Sequence, residues 1–293
     1  MRMMDLSNLQ KIAVLTDSCA DLNPAARAGL PIYVAPLKIV CADGEYSDGV
    51  DITAQDVYAR LDRGEIPKTS LPDFGTVDEA LDQIRADGYE KVIAIHLSSG
   101  LSGTYNMVRI HAQHRHDLEI AAFDSLRGAI AQGMTVLQIC ADIEAGMDWQ
   151  ELCDRRVPAL LQNTFAAFTV DTLEYLVQGG RIGKISGMAG TLLNIKPIIS
   201  FSEEGQLESV AKVRGRRQVQ DKLLEMIDRQ LEGCSRYNLA VTHGGAEEEM
   251  ETFKARLMAA HPNYDHLWQA ELDATLSVYI GKSVIGACAQ RLD

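Results

Sequence analysis

Lys91–Leu97 reads KVIAIHL and runs straight into Ser98–Thr104, SSGLSGT. A short apolar run closed by Ser and Gly predicts a buried strand followed by a loop. Met107, Ile110 and Ala112 then fall at positions that suit a helix. The same succession occurs on either side. Lys11–Leu15 is an apolar run closed by Thr16-Asp17-Ser18, and Glu119–Phe123 is one closed by Asp124-Ser125, with helix predicted over Arg127–Ala145. Gly75–Ala86 carries Val77, Ala80, Leu81 and Ile84 at helical spacing. Asp51–Leu61 reads as a helix start, with Thr53 as N-cap and Asp56 in the first turn. Three strands, each followed by a polar loop and a helix, predict a parallel sheet with helices on its faces. Ligands of such sheets sit beyond the carboxyl ends of the strands. The loops at Asp17-Ser18, Ser98–Thr104 and Asp124-Ser125 should therefore share one rim.

The second half reads differently. Phe165–Val170, Leu239–Thr242, Leu276–Ile280 and Val284–Ala289 are predicted strands, and Arg216–Leu231 and Glu247–Ala259 predicted helices. Ile195–Ser202 and Gln206–Val213 flank Glu203-Glu204-Gly205, a hairpin signal. The pattern predicts an α/β protein with an N-terminal parallel-sheet domain over residues 1–155 and a C-terminal α+β domain with antiparallel strands over 156–293. The boundary falls near Trp149–Asn163.

With 293 residues the chain is long enough for two cores. Its 46% apolar and 24% charged residues are those of an ordinary globular protein. A net charge of −13 opposes binding to nucleic-acid phosphates, and Arg214, Arg216 and Arg217 make too small a basic patch to offset it. Met1–Gln10 has no apolar core of a secretory signal, and no run of about 18 apolar residues is present, so no membrane span and a cytoplasmic location are expected. Cys19, Cys41, Cys140, Cys153, Cys234 and Cys288 form no C-x-x-C pair and have no His at metal spacing, so free thiols and no metal site are expected.

Familiar catalytic motifs fail. Around Ser102 the G-x-S-x-G elbow has Thr104 in place of its second Gly. Gly183-Lys184 is followed by Ile185, with Gln178 where a P-loop begins, and before Gly281-Lys282-Ser283 that first position is Leu276. No G-x-G-x-x-G follows the first strand. No cofactor is expected. Two hydroxyl-rich loops remain, Pro67–Pro72 (PKTSLP) and Leu97–Thr104. Hydroxyls and backbone N–H groups at a strand end suit an anion, whereas a plain helix cap needs one hydroxyl and the second loop has four. Gly179-Gly180 permit tight turns beside Arg181, which can address an anion or stay a surface cation.

Taken in order, Val14–Ser18, Asp21-Leu22, Ala35–Leu37, Tyr46 with Asp48, Lys68–Ser70, Ser98–Thr104, Thr172–Leu176, Gly179–Ile182, Leu193–Pro197 and Lys212–Arg214 resemble the DegV family. The match runs from about residue 12 to the C-terminus. The resemblance implies two α/β domains with a lipid tunnel between them, a long-chain fatty acid as ligand, and no catalytic residues. In some bacteria it implies a partner, a separate kinase protein that phosphorylates the bound carboxyl group with ATP. By position, Thr69, Ser70, Ser98, Ser99, Ser102, Arg181 and Tyr279 are the ligand-binding candidates, with Thr69 and Ser98 or Ser99 on the carboxylate, and Arg214 matches a basic position near the tunnel mouth. The sequence departs from the family where H-x-G-P-G-x-x-G reads Tyr279-Ile280-Gly281-Lys282-Ser283-Val284-Ile285-Gly286, and where T-S-Q-P-S reads Thr69–Asp73 (TSLPD). Tyr279 can donate a hydrogen bond as the His would, without titrating near neutrality. It is expected close to the Ser98–Thr104 loop, with its hydroxyl on the head-group site. The rival class is a small-molecule enzyme, a hydrolase or a sugar kinase subunit.

Overall fold

The structure, a computed structural model, describes residues 10–188 and 195–293. Leu193-Asn194 of the motif above lies outside the described residues. From the N-terminus, β1 (Ile12–Asp17) and β2 (Ile32–Ala35) lead into β3 (Lys38–Cys41), β4 (Gly44–Ser47) and β5 (Lys68–Ser70), a small antiparallel sheet ordered β4-β3-β5. The chain then supplies β6 (Lys91–His96) and β7 (Glu119–Asp124). These join the first two strands in a parallel sheet ordered β2-β1-β6-β7. The expected parallel sheet is present with a fourth strand, β2, and the polar strand ends do share a rim. Asp17 accepts the Leu97 N–H, Asp124 accepts the Ser99 N–H, and Ser125 N–H donates to the His96 carbonyl.

Among the first helices, α1 (Ala54–Asp62) starts at Thr53 with the reciprocal capping box to Asp56. One face of the parallel sheet is covered by α2 (Phe74–Ala86) and α3 (Thr104–Ala112) through Val77, Leu81, Ile84, Met107 and Val108. The other face carries α4 (Ile130–Glu144), of whose 15 residues 13 are buried. A helix apolar nearly all round needs cover on two sides. It packs on β1 and β6 and more extensively on strands of the second sheet, so Val14, Ile93, Met134, Ala240 and Cys288 belong to one core. The expected boundary region is itself helical, running through α5 (Trp149–Glu151), a π-helical turn (Leu152–Arg156) and α6 (Val157–Gln162).

The second half supplies β8 (Thr164–Thr169), α7 (Glu174–Gln178), β9 (Ile195–Phe201), β10 (Leu207–Arg214), α8 (Arg216–Gln230), β11 (Tyr237–Gly244), α9 (Glu247–Ala260), β12 (Leu267–Glu271), α10 (Ala274–Ile280) and β13 (Val284–Arg291). Its sheet is ordered β10-β9-β8-β13-β11-β12 and is antiparallel except for the parallel β11–β12 pair. One element corrects the sequence reading. Leu276–Ile280, predicted as a strand, forms most of α10. Asp273 caps this helix by accepting the Leu276 N–H at 2.8 Å, and Gly281, at φ +71°, ends it. Thr275, Ser277 and Tyr279 alternate with Leu276, Val278 and Ile280, a period-2 pattern that reads as a strand, and burial of Ala274–Val278 lets the helix form against it.

Candidate functional site

Residues of both halves enclose one apolar cavity of about 820 Å³ of atom-free space, part of it open to solvent. Leu37, Leu97 and Leu101 line it from the N-terminal half, and Phe168, Leu207 and Leu276 from the C-terminal half. Ala129, Ala166 and Ala167 contribute small side chains, which leaves room along the wall. Thr69, Ser102, Arg181 and Tyr279 are the polar residues that gather at one region of it. Thr242 and Thr275 also line it, and their buried hydroxyls have no hydrogen-bond partner among the described residues.

Tyr279 sits near the C-terminal end of α10 and its hydroxyl lies 2.5 Å from Thr69 Oγ1 on β5. Arg181 stacks over the Tyr279 ring at 5.0 Å, donates from Nε to the Leu101 carbonyl at 3.3 Å, and from Nη1 to the Gly179 carbonyl at 2.7 Å. The guanidinium thereby ties Tyr279 to the Ser98–Thr104 loop. This close stacking depends on Gly179: a Cβ there would stand 2.4 Å from the Tyr279 ring. Gly281 gives the same clearance to Tyr175, at 2.7 Å. Ser102 Oγ lies 2.9 Å from Thr104 Oγ1, at the edge of the cavity.

Ser98, Ser99, Ser70 and Arg214 take other positions. Ser98 is fully buried, donates to the Gly205 carbonyl at 2.8 Å and accepts the Gly100 N–H at 3.1 Å. It clasps the rim loop to the β9–β10 turn. Two glycines allow that contact, since a Cβ on Gly205 would meet Ser98 Oγ at 2.0 Å and one on Gly100 would meet the Glu204 carbonyl at 2.6 Å. Ser99 is exposed, Ser70 is exposed and bonds back to the Leu71 carbonyl, and Arg214 is exposed at the end of β10. None of these four lines the cavity.

A buried Asp–His pair also exists, with His96 Nδ1 3.1 Å from Asp17 Oδ2. Asp17 further accepts from Cys19, Leu97 and Gln132, so it fastens β1, β6 and α4 together. His96 Nε2 is buried without a hydrogen-bond partner among the described residues, so no serine or cysteine stands against it as a nucleophile. All six cysteines carry free thiols. Burial pushes the thiols of Cys19 and Cys288 up, away from the reactive thiolate form.

Fold and cavity define an α/β protein of two large sheets and one small one, with an apolar cavity between its halves that carries a few polar groups. The chain belongs to the DegV family: the sequence model described as "Uncharacterised protein, DegV family" matches residues 11–292. It is similar to DegV domain-containing proteins of Clostridium acetobutylicum, 35% identical over 278 residues (95% of this chain, 98% of the relative), and of Clostridium perfringens, 36% identical over 285 residues (97% and 99%). Solved structures agree. A fatty-acid-binding DegV family protein from Thermus thermophilus superposes with a TM-score of 0.89 at 27% identity, covering 96% of this chain and 99% of that one. DegV from Bacillus subtilis, a fatty acid binding protein, gives 0.85 at 28% over 96% and 99%. A stearic-acid-binding protein from Eubacterium ventriosum gives 0.85 at 25% over 96% and 98%. Among the described residues no helix is long and apolar enough to cross a membrane.

Proposed function

We propose that this protein binds one long-chain fatty acid, tail in the apolar cavity and carboxylate against Thr69, Tyr279, Arg181 and Ser102. The observation that carries the reading is the polarity of the cavity: an apolar wall drawn from both halves, with hydroxyls and a guanidinium gathered at one region. A buried CH₂ contributes about 0.8 kcal/mol, so about 14 methylenes offer on the order of 11 kcal/mol before the cost of ordering the chain and of association. A carboxylate left without donors would cancel much of that gain. Tyr279 and Thr69 now satisfy each other, and a carboxylate between them would accept from both hydroxyls. The fatty-acid ligands of similar DegV proteins support the same assignment.

Presentation of the bound carboxyl group to a separate kinase in the cytoplasm rests on the family resemblance alone, and its test is ATP-dependent acyl phosphate formation with a family kinase. Binding itself is tested by organic extraction of the purified protein followed by mass spectrometry. One equivalent of a fatty acid is expected. Extracts without fatty acid, together with no uptake of added palmitate or oleate, would overturn the reading.

A further inference from the structure

Two segments of the family resemblance, Asp21-Leu22 and Tyr46 with Asp48, supply nothing to the lipid cavity. They meet elsewhere. Asp21 follows the 3-10 turn after β1, Asp48 follows β4, and both converge on Asp273 at the start of α10. A second cleft opens there, lined by Ser18, Asp21, Asn23, Asp48 and Asp273, with Arg27 also in its wall. Asp48, only 3% exposed, accepts the Ala274 N–H on Oδ1 at 3.0 Å and the Thr275 N–H on Oδ2 at 3.2 Å. Asp21, only 7% exposed, accepts the Asp273 N–H on Oδ1 at 2.9 Å.

What remains is a set of acceptors. Asp21 Oδ2 and Asp273 Oδ2 are shielded from solvent and accept from no N–H or hydroxyl group among the described residues. A carboxylate oxygen of Asp48, one of Asp273 and Cys19 Sγ all lie within 4.8 Å of one another. Ligands on opposite sides of a hard divalent ion stand about 4–5 Å apart, twice a bond of roughly 2.0–2.6 Å, and these three atoms fall within that limit. Carboxyls brought this close repel one another as anions, and a cation between them offsets that repulsion.

We propose that Asp48 and Asp273, with the buried Asp21 carboxyl beside them, hold a hard divalent cation, of the Mg²⁺, Mn²⁺ or Ca²⁺ class, at the floor of the second cleft. Carboxylate oxygens are the donors these ions prefer, and the cleft admits the waters that complete their shell. The Cys19 thiol is a neighbour of the ion and not a required ligand. Bound there, the cation fastens the loop after β1, the turn after β4 and the start of α10.

The test is calorimetric titration of the EDTA-treated full chain with MgCl₂, MnCl₂ and CaCl₂ in turn, with thermal unfolding of the same samples. One equivalent of at least one ion should bind and raise the unfolding temperature. Asp21→Asn and Asp273→Asn keep side-chain shape and the hydrogen bonds to α10, and should each weaken binding at least tenfold; Cys19→Ser should leave it unchanged. Without metal, the Asn variants should be more stable than wild type because crowding is relieved. No binding of any of the three ions, or wild-type affinity in both Asn variants, would overturn the site. Binding confined to Zn²⁺ and lost in Cys19→Ser would do the same. None of the substituted residues lines the lipid cavity, so the outcome is independent of fatty-acid content.

Discussion

At its C-terminal end α10 brings Tyr279 to a cavity where Thr69, Ser102, Arg181 and the tyrosine itself can all donate; at its N-terminal end, within seven residues, it meets three carboxyls. The first end has donors that lack an anion, and the second has acceptors that lack a cation. Each region is half of an electrostatic pairing, and polarity alone tells which half is missing. The same helix also shows how the two regions are built. Its first N–H groups are held by Asp48 and Asp273, and its last turn is stacked between Arg181 and the Gly179 clearance.

The comparison breaks most visibly at the cavity end. Ala166→Phe should fill the room of about four methylenes and weaken fatty-acid binding by about 3 kcal/mol, a hundredfold or more, in a fluorescent fatty-acid titration. Because Ala166 also belongs to the core between the sheets, the variant's thermal midpoint should fall as well. Affinity unchanged by this substitution would put the tail elsewhere. At the other end, Asp48→Ala removes the acceptor of two buried N–H groups and should cost about 2.5 kcal/mol in urea unfolding. Lipid affinity should fall less than this, because Tyr279 lies a helix length away; an equal loss of affinity would show the two ends to be coupled. Tyr279→Phe reverses the pattern. It leaves packing intact but takes one donor from a charged head group, an expected loss of about 2 kcal/mol in affinity, close to thirtyfold. An unchanged affinity would mean that Tyr279 only packs.

The parallel sheet, the β9–β10 hairpin and most helices were legible because their apolar runs are long and end in clear Gly, Ser or Asp signals. Strands β3, β4 and β5 have three or four residues each, and β4 and β5 have little apolar content, so no periodicity could reveal them. Helix α10 reads as a strand because Thr275, Ser277 and Tyr279 fall at every second position, and tertiary burial of the rest overrides that pattern. At the lipid cavity the residue types Thr69, Ser102, Arg181 and Tyr279 could be named from position in the family pattern. Their assembly could not, since it depends on glycine clearances at 179 and 281 that exist only once β5, α7 and α10 meet. The carboxyl cluster was hidden for a related reason. Asp21, Asp48 and Asp273 are separated by up to 252 residues, and spacing rules for metal ligands look for neighbours.

Ser98 separates what position in a family pattern suggests from what local geometry does. Its hydroxyl is wholly buried; it donates to the Gly205 carbonyl, which joins the rim of the first sheet to the turn of the β9–β10 hairpin, and accepts from Gly100 N–H within the rim loop. In Ser98→Ala the Gly205 carbonyl loses its donor, an expected cost of about 1 kcal/mol to stability, near the usual net worth of one neutral hydrogen bond. Fatty-acid affinity should stay within about twofold of wild type, since Ser98 lines no part of the cavity. Ser102→Ala is the matched control: Ser102 lines the cavity, so it should lower affinity and barely move the urea midpoint. If Ser98→Ala instead lost affinity and kept its stability, the hydroxyl would have to leave Gly205 when lipid binds, and the rim loop would be part of the head-group site.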